Sequence, residues 1–210
     1  MANQEEKKPI DSDPSKLNFV SLKGSVSIRD RRYLPHWEKE GATYFVTFRL
    51  ANSMPRHVIE LWAEELANLD ASVRKWQMIK KIERYLDIGG KGCLLLDGRC
   101  ADIVAGALQF YEGERYIHFA WCVMPNHVHT VFQLLGDQRL SKVIQNWKSY
   151  TSHSINKVLG SKGEVWHREY FDHIVRSPQQ LEKAIRYVQT NPMRAGLTDW
   201  KWVYPSISDG

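Results

Sequence analysis

Residues 115–134 read RYIHFAWCVMPNHVHTVFQL, and this stretch decides the fold of the chain. Arg115 to Met124 and His127 to Leu134 are two runs rich in apolar, aromatic and β-branched residues, which is typical of strands. Pro125-Asn126 between them is a turn signal. The stretch therefore predicts a β-hairpin.

The segments around the hairpin alternate between strand and helix patterns. Ala42 to Leu50 (ATYFVTFRL) predicts a strand, and apolar residues recur at helical spacing both before and after the hairpin. Ser177-Pro178 with Gln180 predicts the N-cap and first turn of a last helix, which Pro192 should limit. This order predicts an α+β fold, ferredoxin-like or RRM-like, in which helices pack on one face of an antiparallel sheet.

Length and composition indicate a globular protein with one main domain. The chain has 210 residues, of which 43% are hydrophobic and 25% charged. Residues 1–30 are rich in Lys, Glu, Asp, Ser and Pro and lack sustained periodicity, so they predict a flexible N-terminal arm before a single domain at 31–205. The sequence contains no apolar stretch long enough to cross a membrane and does not begin like a secretory signal, so a cytoplasmic location is expected.

The distribution of charge and of aromatic residues points toward a nucleic acid. The formal net charge is +5, and residues 139–204 contain eleven basic and five acidic residues, a local net charge of +6. A basic surface attracts polyanions. The eight Trp and nine Tyr fit stacking on bases, or alternatively a core rich in Trp.

His127 and His129 are two residues apart in the second hairpin strand. Because side chains alternate along a strand, both imidazoles should point to the same face, with Val128 on the other. Two imidazoles on one rigid strand are half of a metal site. The alternative is a pair of unrelated polar residues on a half-exposed strand.

Tyr187 and Asn191 are four residues apart, so they should lie on adjacent turns of one helical face. That face borders the apolar stripe and could look into a cleft between helix and sheet. The alternative is a tyrosine ring that packs and an asparagine that caps the helix end. With the imidazole pair, however, the amide could help to hold Mg²⁺ or Mn²⁺, and the phenol could attack a DNA phosphate to give a phosphotyrosine ester.

Three segments carry a resemblance to a known family: MPNHVHTVFQL, VWHREYFDHIVRS and IRYVQTNPMRAGL. They resemble the main motifs of the single-tyrosine HUH transposases, and most closely the branch of REP-associated tyrosine transposases. The resemblance runs from about Arg31 to Tyr204. It implies that His127 and His129 bind the metal, that Tyr187 is the nucleophile, and that Asn191 is a third metal ligand, at a position where relatives often have Gln.

The resemblance also implies an activity. Members of this family cleave single-stranded DNA, leave a 5′-phosphotyrosine and a free 3′-OH, and in this branch act on short hairpins at repetitive extragenic palindromes. Residues 31–205 would then be the HUH transposase-like catalytic domain of a nucleoid-associated enzyme, either monomer or homodimer. The basic segment before Gly89-Gly92 is longer than in compact relatives, which leaves its role open.

Three arginines are candidates for DNA contact. Arg168 and Arg176 lie in a dense polar and aromatic segment, and Arg194 follows Asn191 by three residues. The alternative for the first two is an ordinary strand that places Trp166 and Phe171 in the core.

Two other functions fit the same residues. One is a protein that binds hairpin nucleic acid without cleaving it. The other is a replication or plasmid-mobilisation initiator with the same chemistry, although such proteins usually have further domains or a second tyrosine.

Overall fold

The computed structural model describes residues 27–31, 34–89 and 92–205. The elements, in chain order, are β1 (Ser27–Arg31), β2 (Leu34–Glu38), β3 (Thr43–Leu50), α1 (Arg56–Glu65), α2 (Ala71–Asp87), a short 3₁₀ helix (Leu94–Leu96), α3 (Gly98–Gln109), β4 (Tyr116–Val123), β5 (His127–Leu134), α4 (Leu140–Leu159), β6 (Trp166–Ile174), α5 (Pro178–Arg194) and β7 (Val203–Tyr204). Residues 1–26 of the predicted arm lie outside the described residues. Its last residues, from Ser27, belong to β1, which pairs with β2 in a separate antiparallel hairpin.

The main sheet has the strand order β6-β3-β5-β4-β7, and every neighbouring pair is antiparallel. Within it, the succession β3, α3, β4, β5, α4, β6 gives the ferredoxin-like arrangement. The predicted hairpin is confirmed, with β4 and β5 as its two strands. The predicted α+β class and antiparallel sheet are confirmed as well.

One face of the sheet is covered by α3 and α4. Strand β3 is buried along its whole length, and Tyr44, Val46 and Phe48 point to this face. The apolar residues of α4, including Ile144 and Trp147, pack against these strand residues in one core cluster. Burial of these side chains is the main contribution to the stability of this layer.

The other face is covered by α5, which corrects the prediction that the helices pack on one face. Leu181, Ala184 and Val188 of α5 pack in one cluster with Phe45 of β3 and Val131 of β5. Phe45, Phe119 and Val131 are apolar strand residues on this side, and they need a covering layer. The helices therefore form layers on both sides of the sheet.

Helix α2 lies on the same side as α5. Its residues Ile82 and Leu86 form a small cluster with Met54 and with Phe171 of β6. Phe171 is opposite Thr47 in the register of β6 and β3, and residues directly opposite share a face. The ends of α2 and α5 thus border one region above the sheet.

The start of α5 follows the prediction, but its end does not. The Ser177 hydroxyl accepts a hydrogen bond of 3.2 Å from the backbone N–H of Gln180, which makes Ser177 the N-cap. Pro192 was expected to limit the helix, yet α5 continues to Arg194. The turn after Pro192 keeps its hydrogen bonds, because the Ala195 N–H donates to the Asn191 carbonyl at 3.0 Å. Within the described part of the chain, no helix is both long and apolar enough to span a bilayer.

Candidate metal centre and nucleophile

The two imidazoles of β5 converge on one point. His127 and His129 are completely buried, and their Nε2 atoms are 2.8 Å apart. They share one face of the strand, as predicted, while Val128 packs in the opposite layer. The alternative of two unrelated polar residues on a half-exposed strand therefore does not fit.

Neighbouring side chains fix the orientation of both rings. His127 Nδ1 lies 2.6 Å from the Asn126 side-chain carbonyl, and His129 Nδ1 lies 2.7 Å from the Thr47 hydroxyl. Because a carbonyl only accepts, His127 must carry its proton on Nδ1, which leaves the Nε2 lone pair facing His129. Burial, and then the neighbouring His129, lower the pKa of His127 well below its usual value, so the ring is in its neutral, ligand form. Two nitrogens this close repel each other unless a proton or a cation lies between them.

Asp87, at the end of α2, is the site residue that the sequence reasoning missed. Its Oδ1 atom is 3.7 Å from His127 Nε2 and 3.9 Å from His129 Nε2, and the three side chains form a group able to hold a metal ion. Burial alone would raise the pKa of Asp87. Hydrogen bonds and charge interactions with His129, His127 and Asn191 outweigh that effect and hold the pKa below its usual value. The side chain is therefore an anion at neutral pH.

Asn191 brings an amide to the same place. Its Nδ2 atom donates to Asp87 Oδ1 at 3.2 Å, and its buried Oδ1 atom has no hydrogen-bond partner among the described residues. A buried acceptor without a partner is costly and needs an explanation. Two imidazoles and a carboxylate therefore meet beside an amide, and the first three groups are able to hold a divalent metal ion.

The phenol of Tyr187 lies directly beside this group. Its hydroxyl donates to Asp87 Oδ2 at 3.4 Å, and its ring is 5.2 Å from the His129 ring and 5.8 Å from the Phe45 ring. Burial raises the pKa of Tyr187, and the nearby carboxylates of Glu83 and Asp87 raise it further. The phenol is therefore protonated at neutral pH, and a positive charge nearby would lower its pKa.

The structure brings one of the three predicted DNA-contact arginines to this centre. The Arg194 guanidinium lies 5.6 Å from the centre of the Tyr187 ring. Arg168 is exposed in a separate groove of about 640 Å³ between α4 and β6, and Arg176 is exposed just after β6. Trp166 in the same segment is buried in the core, as the alternative predicted.

An open cleft of about 810 Å³ leads from the surface to the centre. Helix α2 forms one wall and the end of α5 the other. Its lining residues are Lys80, Lys81, Glu83, Arg84, Asp87, Ile88, Tyr187, Arg194 and Ala195. Four of these nine side chains are cationic, so the entrance is suited to an anionic substrate.

Comparisons with known proteins point to one family. The family described as "Transposase IS200 like" matches residues 98–191. A curated protein of Haemophilus influenzae, named "Putative REP-associated tyrosine transposase", is 23% identical over 100 residues, which cover 42% of this chain and 57% of that protein. The chain thus matches a little more than half of the relative's length.

A solved structure of a REP-associated tyrosine transposase bound to a REP hairpin is also similar. It is 18% identical, with a TM-score of 0.49, over 84% of this chain and 81% of that one. The family match spans both histidines, Tyr187 and Asn191, whereas Asp87 and α2 lie before it. Residues 98–191, the segment that carries the imidazole pair and the partly buried phenol, match the family described as "Transposase IS200 like", in agreement with the sequence resemblance.

Proposed function

We propose that the chain is a metal-dependent endonuclease and strand transferase that acts on single-stranded and hairpin DNA through a 5′-phosphotyrosine intermediate. The observation that carries this proposal is the position of the Tyr187 hydroxyl. It lies 3.4 Å from Asp87, whose other carboxylate oxygen faces the two imidazoles. A nucleophile and a cation-binding group thus occupy one buried centre at the end of a basic cleft.

The residues that would hold Mg²⁺ or Mn²⁺ are His127, His129, Asp87 and Asn191. When bound, such a cation polarises a phosphate and stabilises the negative charge that develops on its oxygens. The buried Oδ1 of Asn191 would gain the partner that it lacks. Thr47 and Asn126 contact the Nδ1 atoms of His129 and His127 and so keep the two imidazoles in place.

The chain's own residues suggest how the phosphate is cleaved. The Tyr187 oxygen attacks phosphorus, and the bond from phosphorus to the 3′ oxygen breaks. The phenol proton passes to Asp87 Oδ2, which already accepts the hydrogen bond from Tyr187, and then to solvent. The departing 3′ oxygen takes up a proton from water. A phosphotyrosine ester keeps the phosphoester bond, which makes a second strand transfer possible.

Hairpin DNA is the proposed partner. The family match over residues 98–191 and the REP-associated name of the curated relative support this choice, and so does the local net charge of +6 over residues 139–204. In this proposal Arg194 contacts the phosphate near Tyr187, while Arg168 and Arg176 contact the DNA farther from the centre. Residues 31–205 would act as one catalytic domain in the cytoplasm, where the DNA is found.

A covalent adduct tests the proposal. The full chain is incubated with a labelled hairpin that has a 5′ overhang, with and without Mn²⁺, and the products are separated on a denaturing gel. We expect a protein–DNA adduct that requires Mn²⁺ and is lost in Tyr187→Phe. Tyr150→Phe, on the exposed side of α4, is the matched control and should form the adduct normally.

Two outcomes would contradict the proposal. If Tyr187→Phe still forms the adduct, Tyr187 is not the nucleophile. If the DNA stays intact with Mn²⁺ while the hairpin binds tightly, the chain is a binding protein that does not cleave.

A further inference from the structure

Helix α2 presents a stripe of residues that leads from the surface to the centre. Trp76, Lys80, Arg84 and Asp87 follow one another at intervals of four, four and three residues. Residues at these spacings lie on one side of a helix. From Trp76 to Asp87 the stripe extends over eleven residue steps, about 16 Å at the helical rise. It lies outside the segment that matches the transposase family.

The outer part of this stripe is available for a ligand. Trp76 is 56% exposed, whereas Trp121, Trp147 and Trp166 are buried in the core. The Lys80 Nζ atom lies 3.6 Å from the centre of the Trp76 ring, so the cation and the indole form one surface.

The cations of the stripe are only partly balanced by acidic groups. Among the residues that the structure describes, neither Lys80 nor Arg84 forms a direct ion pair with an acidic side chain, although the charge of Lys80 interacts with that of Glu83. The adjacent Lys81 differs, because its Nζ atom is 2.9 Å from a carboxylate oxygen of Glu65. Glu83 is only partly exposed, so the rim of the cleft presents mainly positive charge.

We propose that this stripe of α2 binds the unpaired strand that flanks the hairpin and directs its phosphate toward Tyr187. The inference rests on the proposed function. An exposed indole next to lysine and arginine matches an unpaired strand, since its bases can stack on the ring while its phosphates contact the cations. In a duplex the base faces are already stacked on one another, so the indole would have no partner there. The length of the stripe suits a few nucleotides.

The test compares two hairpins in binding to the full chain without metal, so that no cleavage occurs. One labelled hairpin has an unpaired flank of eight nucleotides at each end, and the other is blunt. We expect Trp76→Ala to weaken binding of the flanked hairpin roughly tenfold, as is typical for loss of one stacked base, and to leave the blunt hairpin unchanged. Trp76→Phe, which keeps an aromatic ring, should recover most of the affinity.

Matched variants exclude general effects of an exposed ring or charge. Tyr150→Ala removes an exposed aromatic residue of α4 and should change neither hairpin's affinity. The double variant Lys80→Ala with Arg84→Ala should flatten the salt dependence of binding for the flanked hairpin by about 1.4 in log–log slope, about 0.7 for each phosphate contact. Lys157→Ala, at an exposed position of α4, should leave this slope unchanged.

Three results would overturn the inference. If Trp76→Ala loses the same affinity for the flanked and the blunt hairpin, α2 contacts the stem and not the flank. No loss for either would show that Trp76 does not contact DNA, and a surface for another protein would then be the better interpretation. If Trp76→Phe does not recover the affinity for the flanked hairpin, the loss in Trp76→Ala is a structural effect and not the loss of a stacking ring. Because metal is left out, this test is independent of the adduct assay, so each proposal can fail without the other.

Discussion

Replacement of Asp87 by asparagine removes a negative charge from the proposed metal centre while keeping the size of the side chain. The carboxylate oxygen lies 3.7 Å from His127 Nε2. The His127 ring is neutral, so the charge that Asp87 would act on is that of a cation held by both groups; a unit negative charge about 4 Å from a unit positive charge contributes about 4 kcal/mol at an effective dielectric constant of about 20. The Asp87 side chain is 25% exposed, so water reduces this interaction. We therefore expect a loss of about 2 kcal/mol, which weakens Mn²⁺ binding about 30-fold.

Isothermal titration calorimetry of the full chain with Mn²⁺ measures this change. Glu65→Gln is the matched control, since it removes an acidic group of the adjacent helix α1 whose partner is Lys81 and not the imidazoles. It should bind Mn²⁺ as the original chain does. If Asp87→Asn, shown by circular dichroism to be folded, binds Mn²⁺ within threefold of the original affinity, Asp87 is not part of the metal site.

Three further changes test the surroundings of the site and the fold. Thr47→Val removes the hydroxyl that holds His129 at 2.7 Å, and we expect 10- to 100-fold weaker Mn²⁺ binding by calorimetry with little change in shape. Burial lowers the pKa of His167 to about 4. As the pH falls from about 6.5 to 4, His167 is therefore protonated in the unfolded chain but not in the folded chain. Stability should fall in this window by about 1 kcal/mol after allowance for partial exposure, and His167→Gln should flatten the fall in urea titrations. Gly92 has φ +79, and a Cβ there would lie 2.8 Å from the backbone oxygen of Asn52, so Gly92→Ala should lower the free energy of unfolding by about 2 kcal/mol or more. Gly106→Ala is the control, because Gly106 lies within α3 with open space around it, and it should raise the free energy of unfolding by about 0.5–1 kcal/mol.

The hairpin and the antiparallel sheet could be predicted because their signals are local. Apolar runs on both sides of Pro125-Asn126 specify two strands and a turn without knowledge of the rest of the chain. The side of the sheet on which α5 packs could not be predicted in the same way. It depends on which residues of β3, β4 and β5 remain uncovered after α3 and α4 have packed, and this is a property of the assembled sheet.

The residues of the candidate site also differ in whether a local sequence signal predicts them. The strand period places His127 and His129 on one face, and the helix period places Tyr187 and Asn191 on adjacent turns, so the two pairs could be predicted from spacing. Asp87 has no such signal. It lies forty residues before His127 and reaches the site only because α2 packs over Phe171 and because the Leu86 carbonyl accepts a hydrogen bond of 3.4 Å from Asn126.

The packing of α5 against its own sheet bears on how many copies of the chain the proposed cleavage requires. The phenol and both imidazoles come from one polypeptide, with ring centres of Tyr187 and His129 5.2 Å apart. Under the proposed mechanism a single copy supplies the phenol and both imidazoles, so we expect the initial rate to be first order in protein. An equimolar mixture of the variants Tyr187→Phe and His127→Ala should stay inactive, because no single copy in the mixture has both the Tyr187 hydroxyl and the His127 imidazole.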